Sequence, residues 1–375
     1  MPSALKLALE SIQASALSIP FKAAFKHASA ERAATQSLWV QCRSRDGLAG
    51  YGEGCPREYV TAESLASAQG FVGAHLHDWL AAFHDLDSLA AWVRQHGAEI
   101  DRHPAAWTAV ELAFLDLAGK HSGKSIEALL ALPELKGRFQ YTAVIGDAAA
   151  AQFEAQLAHY LKAGFRDFKI KLSGDLARDG DKVRLLGAAG VSPQRVRADA
   201  NNLWRSAEQA SHDLRSLEFP FFALEEPLQA GDYAGLRRLA QALDTKIILD
   251  ESLLRAAQLD ELVGFSERCI VNLRVSKMGG LLRSLELARE IRSRGLGLIV
   301  GAHVGETSVL TRAALAVAHS ARDSLIAQEG AFGTHLLSRD VTESPIMFGA
   351  GGVLDAERAA FAGKPGLGLV VTHAP

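Results

Sequence analysis

Lys169 and Lys171 in FKIKLSG, Asp199 in VRADANN, Glu225 in FALEEPL, Asp250 in IILDES and Lys277 in RVSKMGG each stand at or just past the end of a short apolar run. Lysines at i and i+2 of a strand point to one face. Crowded ammonium groups disfavour each other's charge, which should lower the pKa of at least one, and a lysine so depressed can act as a general base near neutral pH. The three carboxylates follow one another at about one strand-plus-helix interval. Gathered at neighbouring strand ends they would repel strongly without a cation between them, and carboxylate-rich oxygen ligation points to Mg²⁺, with Mn²⁺ possible. Taken singly, an aspartate after a strand is often a helix N-cap, and a lysine pair at a strand end can snorkel to solvent. Three carboxylates in one register favour the metal. Lys277 would face the site from the opposite side, and the glycines after it let backbone approach a ligand closely. These parts suggest a metal holding a carboxylate substrate with a lysine on each face of its α-carbon. One lysine would remove the α-proton to give a metal-stabilised enediolate, and the other would return or guide a proton.

Such a site needs strands that all end on one side. Apolar runs near 139–145, 165–171, 194–199, 220–225, 246–250, 269–274, 297–301 and 324–329 alternate with helical patterns near 148–162, 177–188, 206–217, 232–243, 254–263, 279–294 and 307–320. Repeated strand-then-helix order implies a parallel sheet closed as a TIM-like barrel, with the last helix short or missing. Before it, LALESIQASALSI reads as a first strand ended by Pro20, and residues 21–36 as a loop bearing Lys22, Lys26, His27 and Arg32. SLWVQCRSRDGLAGYGEG then reads as a hairpin turning at Arg45-Asp46-Gly47, followed by helices near 62–82, 86–98 and 105–121. The expected division is an α+β capping domain over 1–131, a barrel over 132–337, and a Gly-rich segment over 338–375 returning to the cap.

At 375 residues, 48% hydrophobic and 22% charged, the chain has the composition of a well-cored globular protein. A net charge of −3 gives no electrostatic attraction to nucleic acid or anionic membrane. No apolar run is long enough to span a bilayer, and MPSALKLALES lacks the basic-then-apolar order of a signal peptide. Cys42, Cys55 and Cys269 form no CxxC pair, which argues against a disulfide framework or structural zinc. The expected setting is cytoplasmic, with a small-molecule carboxylate as partner.

GYGEG, AFLDLAGK, KIK, DANN, EEP, DES, SKMGG and PGLGL, spread over nearly the whole chain, resemble the enolase superfamily. The similarity is to its muconate-lactonizing subgroup, with dipeptide epimerases, N-acylamino acid racemases and o-succinylbenzoate synthases. The resemblance implies an α+β cap on a modified (β/α)7β barrel. It makes Lys171 and Lys277 the acid/base pair, with Lys169 tuning Lys171 or contacting the enolate. Asp199, Glu225 and Asp250 would bind Mg²⁺, the first glutamate of EEP being preferred over Glu226. It also implies that loops near 21–35 and 51–60 close over substrate, and that the enzyme is a homo-oligomer.

Dipeptide epimerases of this family commonly carry Asp-x-Asp at the end of the eighth strand to hold the substrate ammonium; here AQEGAFG offers Glu329. His303, in GAHVGETS, would line the pocket or pack beneath it, and Asn201 would hydrogen-bond near the metal or touch substrate. Arg197, inward like Asp199, would pair inside the barrel. The basic residues of 22–32 would meet an anionic substrate tail or stay solvated. The leading expectation is a racemase or epimerase of an amino-acid derivative acting by 1,1-proton transfer. A cycloisomerase or a syn-dehydrating lyase can use the same constellation, and a non-catalytic binding barrel is the reading from another class.

Overall fold

The computed structural model describes residues 6–27 and 30–374, with backbone alone for 23–27 and 30–32. Strands β1 (Leu9–Leu17), β2 (Pro20–His27), β3 (Ala30–Ala34), β4 (Ser37–Ser44) and β5 (Ala49–Gly54) open the chain. β1, β4 and β5 form an antiparallel sheet, and β2 pairs with β3 as a separate hairpin. The expected loop over 21–36 is thus largely strand. Pro20 begins a strand, where no ladder N–H is required of it, and buried Phe21 bridges to Leu337. The expected loop near 51–60 is likewise shorter, because β5 runs to Gly54 and a turn of helix follows.

Helices α1 (Glu58–Thr61), α2 (Leu65–Ala82), α3 (Leu86–Gln95), α4 (Gly97–Ile100), α5 (Pro104–Ser122) and α6 (Ile126–Leu129) come next. Proline in the first turn starts α5, and Gly123, left-handed at φ +65°, stops it. Nearly every residue of α5 is buried, because it lies between the β1-β4-β5 sheet and the barrel. Ala105, Ala109 and Ala113 meet Gly54, Gly52 and Gly50 of β5, and a Cβ on any of these glycines would run into helix backbone. GYGEG alternates as it does because every second residue must be bare.

β6 (Arg138–Gln140) pairs outside the barrel with β15 (Val353–Asp355), so the run expected as one strand over 139–145 is two. The barrel consists of β7 (Ala143–Ile145), β8 (Phe168–Lys171), β9 (Val196–Asp199), β10 (Ala223–Glu225), β11 (Lys246–Leu249), β12 (Cys269–Leu273), β13 (Gly297–Val300) and β14 (Leu325–Gln328), all parallel and in chain order. Thr142 N–H donates to Gln328 O at 2.9 Å across the seam. Outside lie α7 (Ala150–Lys162), α8 (Leu176–Ala188), α9 (Ala207–Ser216), α10 (Tyr233–Leu243), α11 (Val275–Met278), α12 (Leu281–Ser293) and α13 (Ser308–Ser320). Residues 256–262 form a 3₁₀ turn where an α-helix was expected. After β14 the described residues form no further α-helix, only 3₁₀ turns at Gly333–His335 and Ala350–Gly352 before β15.

Strand alternation divides the interior into layers. Ala223, Ile248, Ile270 and Ile299 form a separate apolar cluster with Phe222 and Ala327. Two residues further along their strands come Glu225, Asp250, Asn272 and Glu329. The apolar layer keeps water from the amino end, and the polar layer faces the carboxyl end. Near the C-terminus, Leu367 N–H donates to Asp116 Oδ1 of α5 at 2.8 Å, and Ile126 N–H to Gly366 O at 2.9 Å. Among the described residues no helix is long and apolar enough to cross a membrane.

Candidate active site

Register brings the expected residues together. Lys171 pairs with Asp199 and Asp199 with Glu225 across adjacent strands, and Asp250 follows β11 next door. Lys277 stands on the single turn α11 after β12. β8 and β12 are four strands apart in a ring of eight, so the two lysines come from opposite walls. All of these side chains are buried.

The cations are distributed among the carboxylates. Lys171 Nζ donates to Asp199 Oδ2 at 2.5 Å and Asn201 Oδ1 at 2.6 Å. Lys169 Nζ reaches Glu329 Oε2 at 2.5 Å, Glu225 Oε2 at 3.0 Å and Asp199 at 3.7 Å. Lys277 Nζ donates to Asp250 Oδ1, Asp250 O and Asn272 O, each at 2.8 Å. Arg274 joins Asp250 directly, and its guanidinium lies 3.9 Å from Glu225 and 3.3 Å from His303 Nδ1. Arg197 meets Thr142 Oγ1 and lies 3.6 Å from Glu329, as an inward arginine should.

Electrostatics follow from these partners. Burial disfavours ionisation of Asp199 and Asp250, yet Lys171 and Lys169 hold Asp199, and Arg274 and Lys277 hold Asp250, below their ordinary values. Glu225 shares only one close ammonium and is pushed up to about 7 by burial, with Asp199, Glu329 and Asp250 adding repulsion. Crowding was expected to depress at least one of the paired lysines, and Lys169 is not the one. Burial pulls its pKa down, but Glu225, Glu329 and Asp199 outweigh burial and raise it. His303 is held well below its ordinary value, first by burial and then by Arg274, so it is neutral.

Asp199, Glu225 and Asp250 supply hard oxygen donors of the type Mg²⁺ takes. Among the described residues no three acidic, His or Cys side chains are gathered as a ready-made metal site; lysines and Arg274 occupy the carboxylates instead. A neighbouring carboxyl oxygen is left without a partner. Glu251 Oε2 is buried without a hydrogen-bond partner, and burial with Asp250 and Glu226 raises this carboxyl well above its ordinary value. The donor chemistry therefore fits a divalent cation, provided the ammonium groups give way.

A cavity of about 120 Å³ opens on Lys169, Lys171 and Asp199. His303 and Glu329 line it, while Tyr59, Val144, Phe332, Leu336 and Leu337 make its apolar wall. Lys22 of the β2–β3 hairpin donates to Thr334 O at 2.5 Å, beside that wall. The side chains of Lys26, His27 and Arg32 lie outside the described residues. Sequence reasoning passed over Arg274, Glu251, Glu306 and Tyr59. The signal for Arg274 was there: it repeats the inward phase of Asn272, itself a polar residue in the apolar run CIVNL.

The family model for the enolase C-terminal domain-like proteins matches residues 152–374, more than half of the chain, and the chain belongs to that family. Among its relatives is the L-Lys-D/L-Arg epimerase of Methylococcus capsulatus, 29% identical over 94% of this chain and 95% of that one. The L-Ala-D/L-Glu epimerase of Bacillus subtilis is 26% identical over 96% of each. These relatives are isomerases, and the chain is an enzyme of that class. The solved dipeptide epimerase from Methylococcus capsulatus, complexed with Mg and the dipeptide L-Arg-D-Lys, superposes with a TM-score of 0.81 at 27% identity, covering 97% of this chain and all of that one. The substrate-liganded Bacillus subtilis L-Ala-D/L-Glu epimerase gives 0.85 at 24% identity, covering 98% and 100%, a likeness of fold.

Proposed function

We propose that the protein is a Mg²⁺-dependent epimerase or racemase of an amino-acid derivative, a dipeptide or an N-acyl amino acid, that inverts the carbon next to the substrate carboxylate. The observation that carries this reading is the placement of Lys171 and Lys277 on walls four strands apart, with three carboxylates on the strand ends between them. In one direction Lys277 takes the α-proton at Nζ and Lys171 delivers a proton from Nζ to the opposite face; in the other the roles exchange. Lys169, its pKa raised among three carboxylates, stays an ammonium and lends fixed positive charge where negative charge develops. Asp199, Glu225 and Asp250 would hold the metal, which when bound supplies positive charge at the substrate carboxylate and makes the α-proton more acidic. Asn201 holds Lys171. Glu329 and His303 are read as substrate-facing, with Glu329 the acceptor for a substrate amine. The apolar wall of Phe332, Leu336 and Leu337 keeps water from the reacting carbon.

The domain division stands as proposed over 1–131, 132–337 and 338–375. A cytoplasmic setting accords with three buried free thiols, and a homo-oligomer is read from the family resemblance. The test is inversion of L,L-dipeptides and N-acyl-L-amino acids followed by chiral chromatography, with Mg²⁺ and after EDTA. Inversion that disappears with EDTA and returns with Mg²⁺ is expected. Failure to invert any of them, in protein that binds Mg²⁺, overturns the substrate class.

A further inference from the structure

Lys182 belongs to α8, outside the barrel, yet its side chain is fully buried. Its ammonium donates to the Lys171 backbone carbonyl at 2.8 Å, to Asp179 Oδ1 at 2.8 Å and to Asp147 Oδ1 at 2.7 Å. All three of its donors are used. Asp179 in turn accepts the N–H groups of Ser173 and Gly174, each at 3.0 Å, and the Ser173 hydroxyl at 2.9 Å. A buried ammonium is expensive, and a methionine would fill this helix–barrel contact without the desolvation. The charge accomplishes what packing alone does not: it fastens the end of β8 and the turn after it to α8 and to the segment after β7. The backbone of Lys171 is fixed from outside the barrel, while Asp199 and Asn201 fix its side chain from inside.

We infer that Lys182, with Asp179 and Asp147, is a positioning residue for Lys171. Lys277 is supported by other elements. Cys55 N–H donates to Ser276 Oγ at 2.7 Å, and Lys277 itself is held by Asn272 O. Loss of Lys182 therefore disturbs proton transfer on one face of the substrate and spares the other. This inference rests on the reading of Lys171 and Lys277 as opposed acid/base groups.

The experiment uses the full chain with Mg²⁺ and follows α-proton exchange in D₂O separately for the two epimers of a dipeptide substrate. Lys171→Ala defines the epimer that depends on Lys171. For that epimer Lys182→Met is expected to slow exchange up to about 100-fold, leaving the other within about threefold, and Lys182→Arg should restore part of the loss. Amide exchange by mass spectrometry should rise in the peptide 168–175 and stay unchanged in 269–278. Equal slowing of both epimers, no slowing of either, or unchanged amide exchange in 168–175 overturns the inference. If Lys182→Met does not fold, Asp147→Asn carries the same asymmetric expectation at smaller size. A wild type that exchanges neither epimer removes the acid/base reading, and the amide measurement then still decides whether Lys182 holds the end of β8.

Discussion

Arg274 lies three residues before Lys277, and its guanidinium joins Asp250 with Glu225 and His303 at its edge. Removing one partner of a buried ion pair leaves the other charge uncompensated, which typically costs about 3–5 kcal/mol. Arg274→Met is therefore expected to destabilise the metal-free protein by about 3 kcal/mol in chemical denaturation. Added Mg²⁺ should recover much of that loss, since a bound cation would neutralise the same carboxylates. A variant as stable as the wild type without metal would show that Arg274 does not compensate them. The convergence of the six residues proposed as acid/base groups and metal ligands was legible because they stand at or near the ends of apolar runs in one repeating register. Lys182 was harder to see. A lysine in a polar helix has no sequence signature of burial, and only the fold reveals which carboxylates surround it. The raised pKa of Lys169 was hidden for a related reason: the neighbouring lysine was visible in sequence, whereas Glu225, Glu329 and Asp199 converge on it only through the barrel.

Between α5 and β5 the spacing is set by bare glycines. A side chain at Gly52 would collide with the Ala109 carbonyl and the Ala113 amide, which are backbone atoms that cannot rotate away. Gly52→Ala is expected to destabilise by at least about 2 kcal/mol. Gly70→Ala, in open space on α2, should instead be neutral or stabilise by up to about 1 kcal/mol. Similar denaturation midpoints for the two variants would contradict this packing. The barrel strands were legible because apolar runs alternated with helical periodicity. The β2–β3 hairpin was not, since its charged residues resemble a solvated loop and the segment that β2 meets, 334–338, lies more than three hundred residues away. The 3₁₀ turn at 256–262 was misread because a short apolar spacing of three or four suits both helix types.

Across the whole molecule, several carboxyls are buried where cap and barrel meet. Glu53, at the end of β5, accepts hydrogen bonds from Ser37 Oγ at 2.9 Å, Thr307 N–H at 3.0 Å and Thr307 Oγ1 at 2.7 Å. Burial pushes its pKa from near 4.5 to about 7 despite these donors, with Asp340 adding repulsion. A carboxyl whose pKa is higher folded than unfolded binds more protons in the folded state between those values, so its contribution to stability declines as pH rises from about 4.5 to 7. Glu53→Gln should flatten the fall in stability over that range, by up to about 3 kcal/mol between its ends. Identical pH–stability slopes for variant and wild type would contradict it. Glu63 and Glu111, also pushed up to about 7 mainly by burial, leave a residual slope of the same sign.

The opposed lysines are tested most directly by α-proton exchange in D₂O, read separately for each epimer of one substrate with Mg²⁺ present. Lys171→Ala should slow exchange from one epimer by at least about 100-fold and leave the other exchanging, and Lys277→Ala should show the reverse. Loss from the same epimer in both variants, or retention of both epimers in either, would contradict a lysine on each face.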